Sequence, residues 1–240
     1  MAEVVVLIDL ANTNVFRGVH KPNPPVIGAR LEPFLGGLLE KAQAFAEERF
    51  SEFRFRLYDG WFDENGRGTE LHGLVRQHLR SVYPIRRRGY RLFVDQAEAP
   101  IAASEEKIIH TFRVQSGLSR YHLAVTTESP VGCVNRAHCG IGLLRSWVKG
   151  LCPIQDCPII VTDAVHYRQQ KLVDTALVAD LLWAASQKSK VLVVSDDEDV
   201  LPGLITARAF GAAVGWVCRS ARPREPYAIT IARQGIEYIT

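Results

Sequence analysis

Two short apolar runs near opposite ends of the chain, residues 4–8 (Val-Val-Val-Leu-Ile) and 190–194 (Lys-Val-Leu-Val-Val), constrain the fold most. Neither alternates in polarity, and continuous apolar runs of this length are what strands buried in a parallel sheet require. Both end in acid. Asp9 closes the first, and Ser195-Asp196-Asp197-Glu198-Asp199 follows the second. Residues 200–210 then read as a helix, with Pro202 in its first turn and Gly211 as its stop. The carboxylates therefore stand at the carboxyl ends of strands, where open α/β sheets keep their ligands.

Four adjacent carboxylates repel one another unless something cationic is near. A hard divalent cation with oxygen ligands answers that repulsion, and Mg²⁺ uses only a few carboxylates besides water and phosphate. Acids at a helix start also serve as caps and complement the helix dipole. A cap needs one carboxylate, so capping accounts for one or two of the four.

The remaining pattern supports a parallel sheet with crossover helices. Residues 31–50 carry helical periodicity (Leu35, Leu38, Leu39, Ala42, Phe45), 54–58 read as a second strand closing on Asp59-Gly60, and 70–80 read as a helix. Strand and helix alternating at this spacing indicate a parallel α/β sheet. From about 83 to 162 the pattern turns irregular, as an insertion would. Order returns with a helix at 171–187, strands at 191–194 and 213–218, and a last strand expected at 227–232. The 240 residues suffice for one such domain, no run approaches the ~20 apolar residues of a membrane span, and the start lacks a signal-peptide build. A cytoplasmic protein without membrane association is the expectation.

Asn12 stands three residues after Asp9 and offers a second oxygen, for a metal or its bound water or simply as part of a cap. In the helix at 171–187 the apolar stripe runs Val173, Leu177, Leu181 and Ala184, with Asp174 at its edge and Asp180 within or beside it. A carboxylate on a core-facing stripe is costly unless it is paired or metal-bound. Asp180 is therefore either structural or catalytic. Lys171 and Asp174, three apart, also suit a surface ion pair.

Taken in order, Val-Leu-Ile-Asp9-Leu-Ala-Asn12, Tyr58-Asp59-Gly60, Lys171-Leu-Val-Asp174 with Asp180 behind it, and Ser195-Asp-Asp197-Glu-Asp199-Val-Leu-Pro202 resemble the NYN domain. That family belongs to the PIN-like nuclease superfamily and includes the LabA-like proteins. The resemblance covers roughly residues 4–80 and 160–220. It implies a three-layer α/β/α sandwich with a mostly parallel sheet, and Mg²⁺- or Mn²⁺-dependent cleavage of RNA. It implies Asp9, Asp174, Asp197 and Asp199 as catalytic metal carboxylates, Asn12 as partner of Asp9, and Asp196 as auxiliary to the metal. Asp196 and Glu198 are expected in capping or auxiliary roles. Leu10 and Val200 stand where the family often has Gly and Phe.

A polyanionic substrate also needs cations. Between residues 76 and 91 there are six arginines and no acid, with Tyr83 and Tyr90 among them. Such a stretch suits phosphate contacts and base stacking, or else a solvated basic loop or an intramolecular partner for excess acid. Arg86, Arg87 and Arg88, with Asn12 and Lys171, are the expected substrate contacts, and Arg120, Arg136 and Arg145 continue the basic trend. Cys133, Cys139, Cys152 and Cys157 form two pairs that suggest a structural Zn²⁺ in the insertion, with His138 as an alternative ligand, or else free thiols in a small core. Cys218 reads as a buried apolar filler.

RNA is the expected partner, and homo-oligomerisation is left open. A non-catalytic RNA- or protein-binding module on the same fold is the alternative. A haloacid-type phosphatase is disfavoured because Asp9-Leu10-Ala11 lacks its Asp-x-Asp, and a receiver domain because its chain is shorter.

Overall fold

The computed structural model describes residues 2–19, 21–47, 51–109, 111–116, 140–150, 152, 154, 156–160, 162, 165–170, 172–218 and 225–239. The chain divides into two compact units, residues 1–111 with 171–240, and residues 112–170. The larger unit is an α/β fold around a seven-stranded, mostly parallel mixed sheet of order β3-β4-β2-β1-β7-β8-β9.

Strand β1 (Ala2–Asp9) lies at the centre, parallel to β2 (Ser51–Tyr58) on one side and to β7 (Lys190–Val194) on the other. Its continuous apolar run is required because both of its faces are covered. Val4, Val6 and Ile8 join the core built with helix α1 (Pro24–Ala46) and helix α2 (Glu70–Val82). Val5 and Leu7 join the core built with helix α4 (Val173–Ser186) and helix α5 (Leu201–Ala209). Each such side chain, fully buried, contributes about 1.5–3 kcal/mol of transfer free energy. Beyond β7 come β8 (Val214–Val217) and β9 (Glu237–Ile239), both parallel.

Crossovers from β1 lead to β2 on one side, while the later half of the chain returns on the other. The β1/β7 boundary is thus the topological switch point, the place where sheets of this kind open a crevice at their carboxyl ends. No described helix is long and apolar enough to cross a membrane.

Four sequence expectations need correction. Helix α1 begins at Pro24, well before residue 31, because Asn23 caps it by accepting from the Val26 amide at 3.0 Å and two prolines fill its first positions. Residues 83–96, expected to be irregular, hold the antiparallel hairpin of β3 (Ile85–Arg87) and β4 (Tyr90–Gln96), whose second strand extends the main sheet beside β2. Arginines interrupt its apolar pattern, yet Leu92 and Val94 are buried at period two. The 171–187 helix starts at Val173. Residues 227–232, expected as a strand, lie within helix α6 (Glu225–Gln234). Ile229 is 65% exposed while Ile231 is 3% exposed, a pair that would share one face of a strand. Gly235 at φ 64° ends that helix.

In the smaller unit, β5 (Phe112–Ser116) pairs antiparallel with β6 (His166–Gln170), and helix α3 (Gly140–Val148) lies between them in sequence.

Candidate functional site

Backbone hydrogen bonding fixes the end of β1. The Leu10 amide donates to the Tyr58 carbonyl at 2.8 Å, extending the β1/β2 ladder one residue past Asp9. The chain then turns, with the Thr13 amide donating to the Asp9 and Leu10 carbonyls at 3.2 Å each. That turn folds Asn12 back onto Asp9. The Asn12 Nδ2 donates to Asp9 Oδ2 at 2.6 Å and its backbone amide to Oδ1 at 3.3 Å.

The end of β7 meets the same carboxylate. The Ser195 amide donates to the Val217 carbonyl at 3.2 Å, and the Ser195 carbonyl accepts from Trp216 Nε1 at 2.9 Å. With its backbone pinned on both sides, buried Ser195 donates its hydroxyl to Asp9 Oδ2 at 2.9 Å and accepts from the Asp197 amide at 3.1 Å. One serine therefore ties the ends of β1 and β7 together.

Asp9 is only 2% exposed, and burial raises its pKa; the bonds from Ser195 and Asn12 oppose this, and the charge of Asp197 adds to it. Asp59, just past β2, is pushed up to about 6 by burial, against the lowering effect of the Gly60 amide at 2.6 Å and with the Asp9 charge raising it further. Three carboxylates thus feel one another at this edge.

Asp197 caps the short 3₁₀ turn Glu198–Val200 by accepting from the Asp199 amide at 2.9 Å. Asp197, expected as a metal ligand, thus also caps this turn, while Asp196 Oδ1 accepts from Cys218 Sγ at 3.3 Å. Asp199 is exposed on that turn, and Asp174 is exposed in the first turn of α4. Among the described residues no three His, Cys, Asp or Glu side chains are grouped tightly enough to hold a metal ion. The hard oxygens of Asp9 and Asp197 suit an Mg²⁺-type ion that takes one or two carboxylates and completes its shell with water and phosphate, and do not suit an all-protein cage.

Asp180 belongs elsewhere. It is 1% exposed; its Oδ2 accepts from the Tyr58 hydroxyl at 2.5 Å and faces Arg56 Nε at 3.4 Å, and its Oδ1 accepts from the Ile101 amide at 2.7 Å. Arg56 also donates Nη1 to Asp95 at 3.1 Å and Nη2 to the Ala99 carbonyl at 2.6 Å. Of its two sequence readings, this buried network makes Asp180 structural.

No protein-family model, curated protein or solved structure matches the chain.

Arg86 and Arg87 are exposed on edge strand β3, and Arg88 is exposed in the turn after it. Register aligns Arg87, Tyr90, Ser51 and Ala2 in one row, seven residues along β1 from Asp9. Strand rise of ~3.3 Å and spacing of ~4.8 Å put these arginines roughly 27 Å from Asp9. Lys171, Cys133, Cys139 and His138 lie outside the described residues. Cys152 and Cys157 are half-buried and free of disulfides.

Sequence reasoning left out Ser195 and Asp59. Both stand inside quoted motifs, Ser195 opening Ser-x-Asp-x-Asp and Asp59 in Tyr-Asp-Gly, so the signal was their position at strand ends.

Proposed function

We propose that this chain is a metal-dependent ribonuclease of NYN, PIN-like type, its sheet and helices forming a three-layer α/β/α sandwich. The observation that carries this reading is the Asp9–Ser195–Asp197 link at the switch point, with Asp59 beside it. Burial, with a neighbouring carboxylate's charge adding to it, raises Asp9 from its ordinary value and pushes Asp59 up to about 6. Carboxylates perturbed by burial together with a specific charged neighbour are candidates for functional sites.

In this reading Asp9 and Asp197 hold one Mg²⁺ or Mn²⁺, with Asp199, Asp174 and Asp196 contributing through water or after substrate binding. Such an ion supplies a bound water of lowered pKa and neutralises charge on the departing oxygen. Asn12 and Ser195 fix the orientation of Asp9, and Asp59 adds negative potential that favours a cation. Arg86, Arg87 and Arg88 hold a distant part of an RNA that also reaches the acids, which only an extended polyanion does. A Zn²⁺ on the four cysteines is a structural part of the same proposal.

Purified protein incubated with single-stranded and structured RNA, in Mn²⁺ or in EDTA, tests the activity beside Asp197→Asn. Cleavage that needs the metal and is lost in the variant supports it. Cleavage in EDTA, or undiminished cleavage by Asp197→Asn, overturns it. A second reading, a non-catalytic RNA- or protein-binding module, draws on the lack of a three-ligand cluster among the described residues. Metal-independent RNA binding without any cleavage selects it.

A further inference from the structure

A cavity of about 830 Å³ is lined both from the α4-facing side of the sheet, by Val5, Arg54, Phe93 and Trp183, and from α2 on the other side, by Arg76, Leu79 and Arg80, and none of Asp9, Asp59, Asp174, Asp197 or Asp199 lines it. Its floor on that first side is the register row Val5–Arg54–Phe93, four residues short of the Asp9–Tyr58 pair at the carboxyl edge. The volume is that of a small-molecule site.

Five cationic and three acidic side chains line the cavity, and Glu52 and Asp180 behind two of the arginines bring the acids to five, so any positive surplus is local to one end. The surplus has a definite place. Arg54 is neutralised by Glu3 at 2.6 Å and Glu52 at 2.9 Å, and Arg56 by Asp95 and Asp180. That leaves Arg76, Arg80 and Lys107 against Glu98, a carboxylate that also bonds His72 at 2.9 Å. Lys107 reaches Glu98 at 3.0 Å and Arg76 only at 3.7 Å, and Arg80 has no acidic partner among the described residues. Arg76 and Arg80 are four apart on α2, a spacing at which like charges repel. The same spacing offers two guanidinium forks to one anion.

Aromatic surface completes the site. Trp183 lines the cavity from α4 while 38% exposed, and Phe93 lines it from β4 with the Arg54 guanidinium 5.5 Å from its ring centre. From this combination we infer that the cavity binds a nucleoside monophosphate, its phosphate on Arg76 and Arg80 and its base against the aromatic surface. The charge count chooses phosphate over carboxylate. A phosphate monoester carries about −1.5 to −2 at neutral pH, which cancels the local surplus of Arg76, Arg80 and Lys107 over Glu98, whereas a carboxylate cancels half. The site is separate from the acidic edge and stands whether or not that edge cleaves RNA.

Isothermal titration of the full chain in EDTA, with adenosine monophosphate, adenosine, inorganic phosphate and a single-stranded RNA, tests this. Adenosine monophosphate should bind saturably and more tightly than adenosine or phosphate alone. Arg80→Gln should weaken it about tenfold, and Arg76→Gln with Arg80→Gln about a hundredfold. Trp183→Leu should weaken the nucleotide and leave phosphate unchanged. Arg80 is exposed and Arg76 half-buried, and an unchanged urea midpoint verifies folding. The inference fails if no saturable binding occurs by millimolar nucleotide, if the double variant binds normally, or if adenosine binds equally well. It also fails if RNA binds more tightly through the same arginines, or if Asp197→Asn weakens the nucleotide as much as Arg80→Gln does.

Discussion

Asp9 and Asp180 are buried almost equally, 2% and 1% exposed, yet their surroundings differ in kind. Asp180 meets a guanidinium, a phenol and a backbone amide, so its charge is compensated where it lies. Asp9 meets only neutral donors, Asn12 and Ser195, and two further carboxylates, Asp59 and Asp197. Burial alone therefore does not separate a structural acid from a functional one. What separates them is whether the protein itself supplies the countercharge. At Asp180 it does; at Asp9 the countercharge is left for something that binds.

The largest effect falls on the compensated acid. Asp180→Ala leaves the buried Arg56 guanidinium with the half-exposed Asp95 as its remaining acidic partner and frees the Tyr58 hydroxyl, at a cost of about 3–5 kcal/mol. A urea midpoint checks it, and a loss under about 1 kcal/mol would erase the contrast. Next come Asp9→Asn and Asp197→Asn, which should lower metal-dependent cleavage by about a hundredfold or more, beyond the range for groups that merely position a ligand. Their stability at pH 7 should stay level or rise, since each removes a repelling charge. A collapse in stability would make Asp9 structural too.

Ser195→Ala sharpens the comparison by removing the bridge and keeping every carboxylate. Cleavage should fall by about 10- to 100-fold, as for groups that orient a metal ligand. Ser195→Thr, which keeps the hydroxyl, should recover part of the rate.

Asp59 supplies the pH test. Its folded-state pKa of about 6 exceeds the ordinary 3.8, so between these values the native state binds more protons than the unfolded chain. Stability therefore falls as pH rises through that window and the loss is complete above it. Asp59→Asn, which keeps an acceptor for the Gly60 amide, should stabilise the protein at pH 7 by up to about 3 kcal/mol. That gain should shrink toward zero as pH drops to 4. Urea titrations of both proteins across pH 4–8 decide it, and a gain that persists at pH 4 would assign the effect to packing.

The central strands were legible because strands buried on both faces must be apolar throughout, and residues 4–8 and 190–194 have no other use. The acids were legible as strand ends. Their division of labour was not, since capping by Asp197 and bridging by Ser195 depend on where β7 meets β1 in space. The β3–β4 hairpin was hidden because Arg86, Arg87, Arg88 and Arg91 break its apolar alternation, and sheet-edge strands tolerate such charges. Helix α6 was misread because Tyr-Ala-Ile-Thr-Ile-Ala has strand composition, and only the opposite exposures of Ile229 and Ile231 reveal a helix.

The smallest effect concerns that same hairpin. Arg86 and Arg91 are direct cross-strand partners, an arrangement in which like charges destabilise the pair. An edge strand so charged discourages pairing with another chain and needs no ligand to explain it. RNA contact makes a different claim, that these charges release counterions on binding. Arg86→Gln, Arg87→Gln and Arg88→Gln should each lower the slope of log affinity against log salt by about 1, with only a modest loss in affinity. The cleavage rate at saturating RNA should not change, because the hairpin lies roughly 27 Å from Asp9 by strand rise and spacing. A salt slope that ignores all three substitutions would reduce these arginines to an edge guard and leave RNA to the acidic end of the sheet.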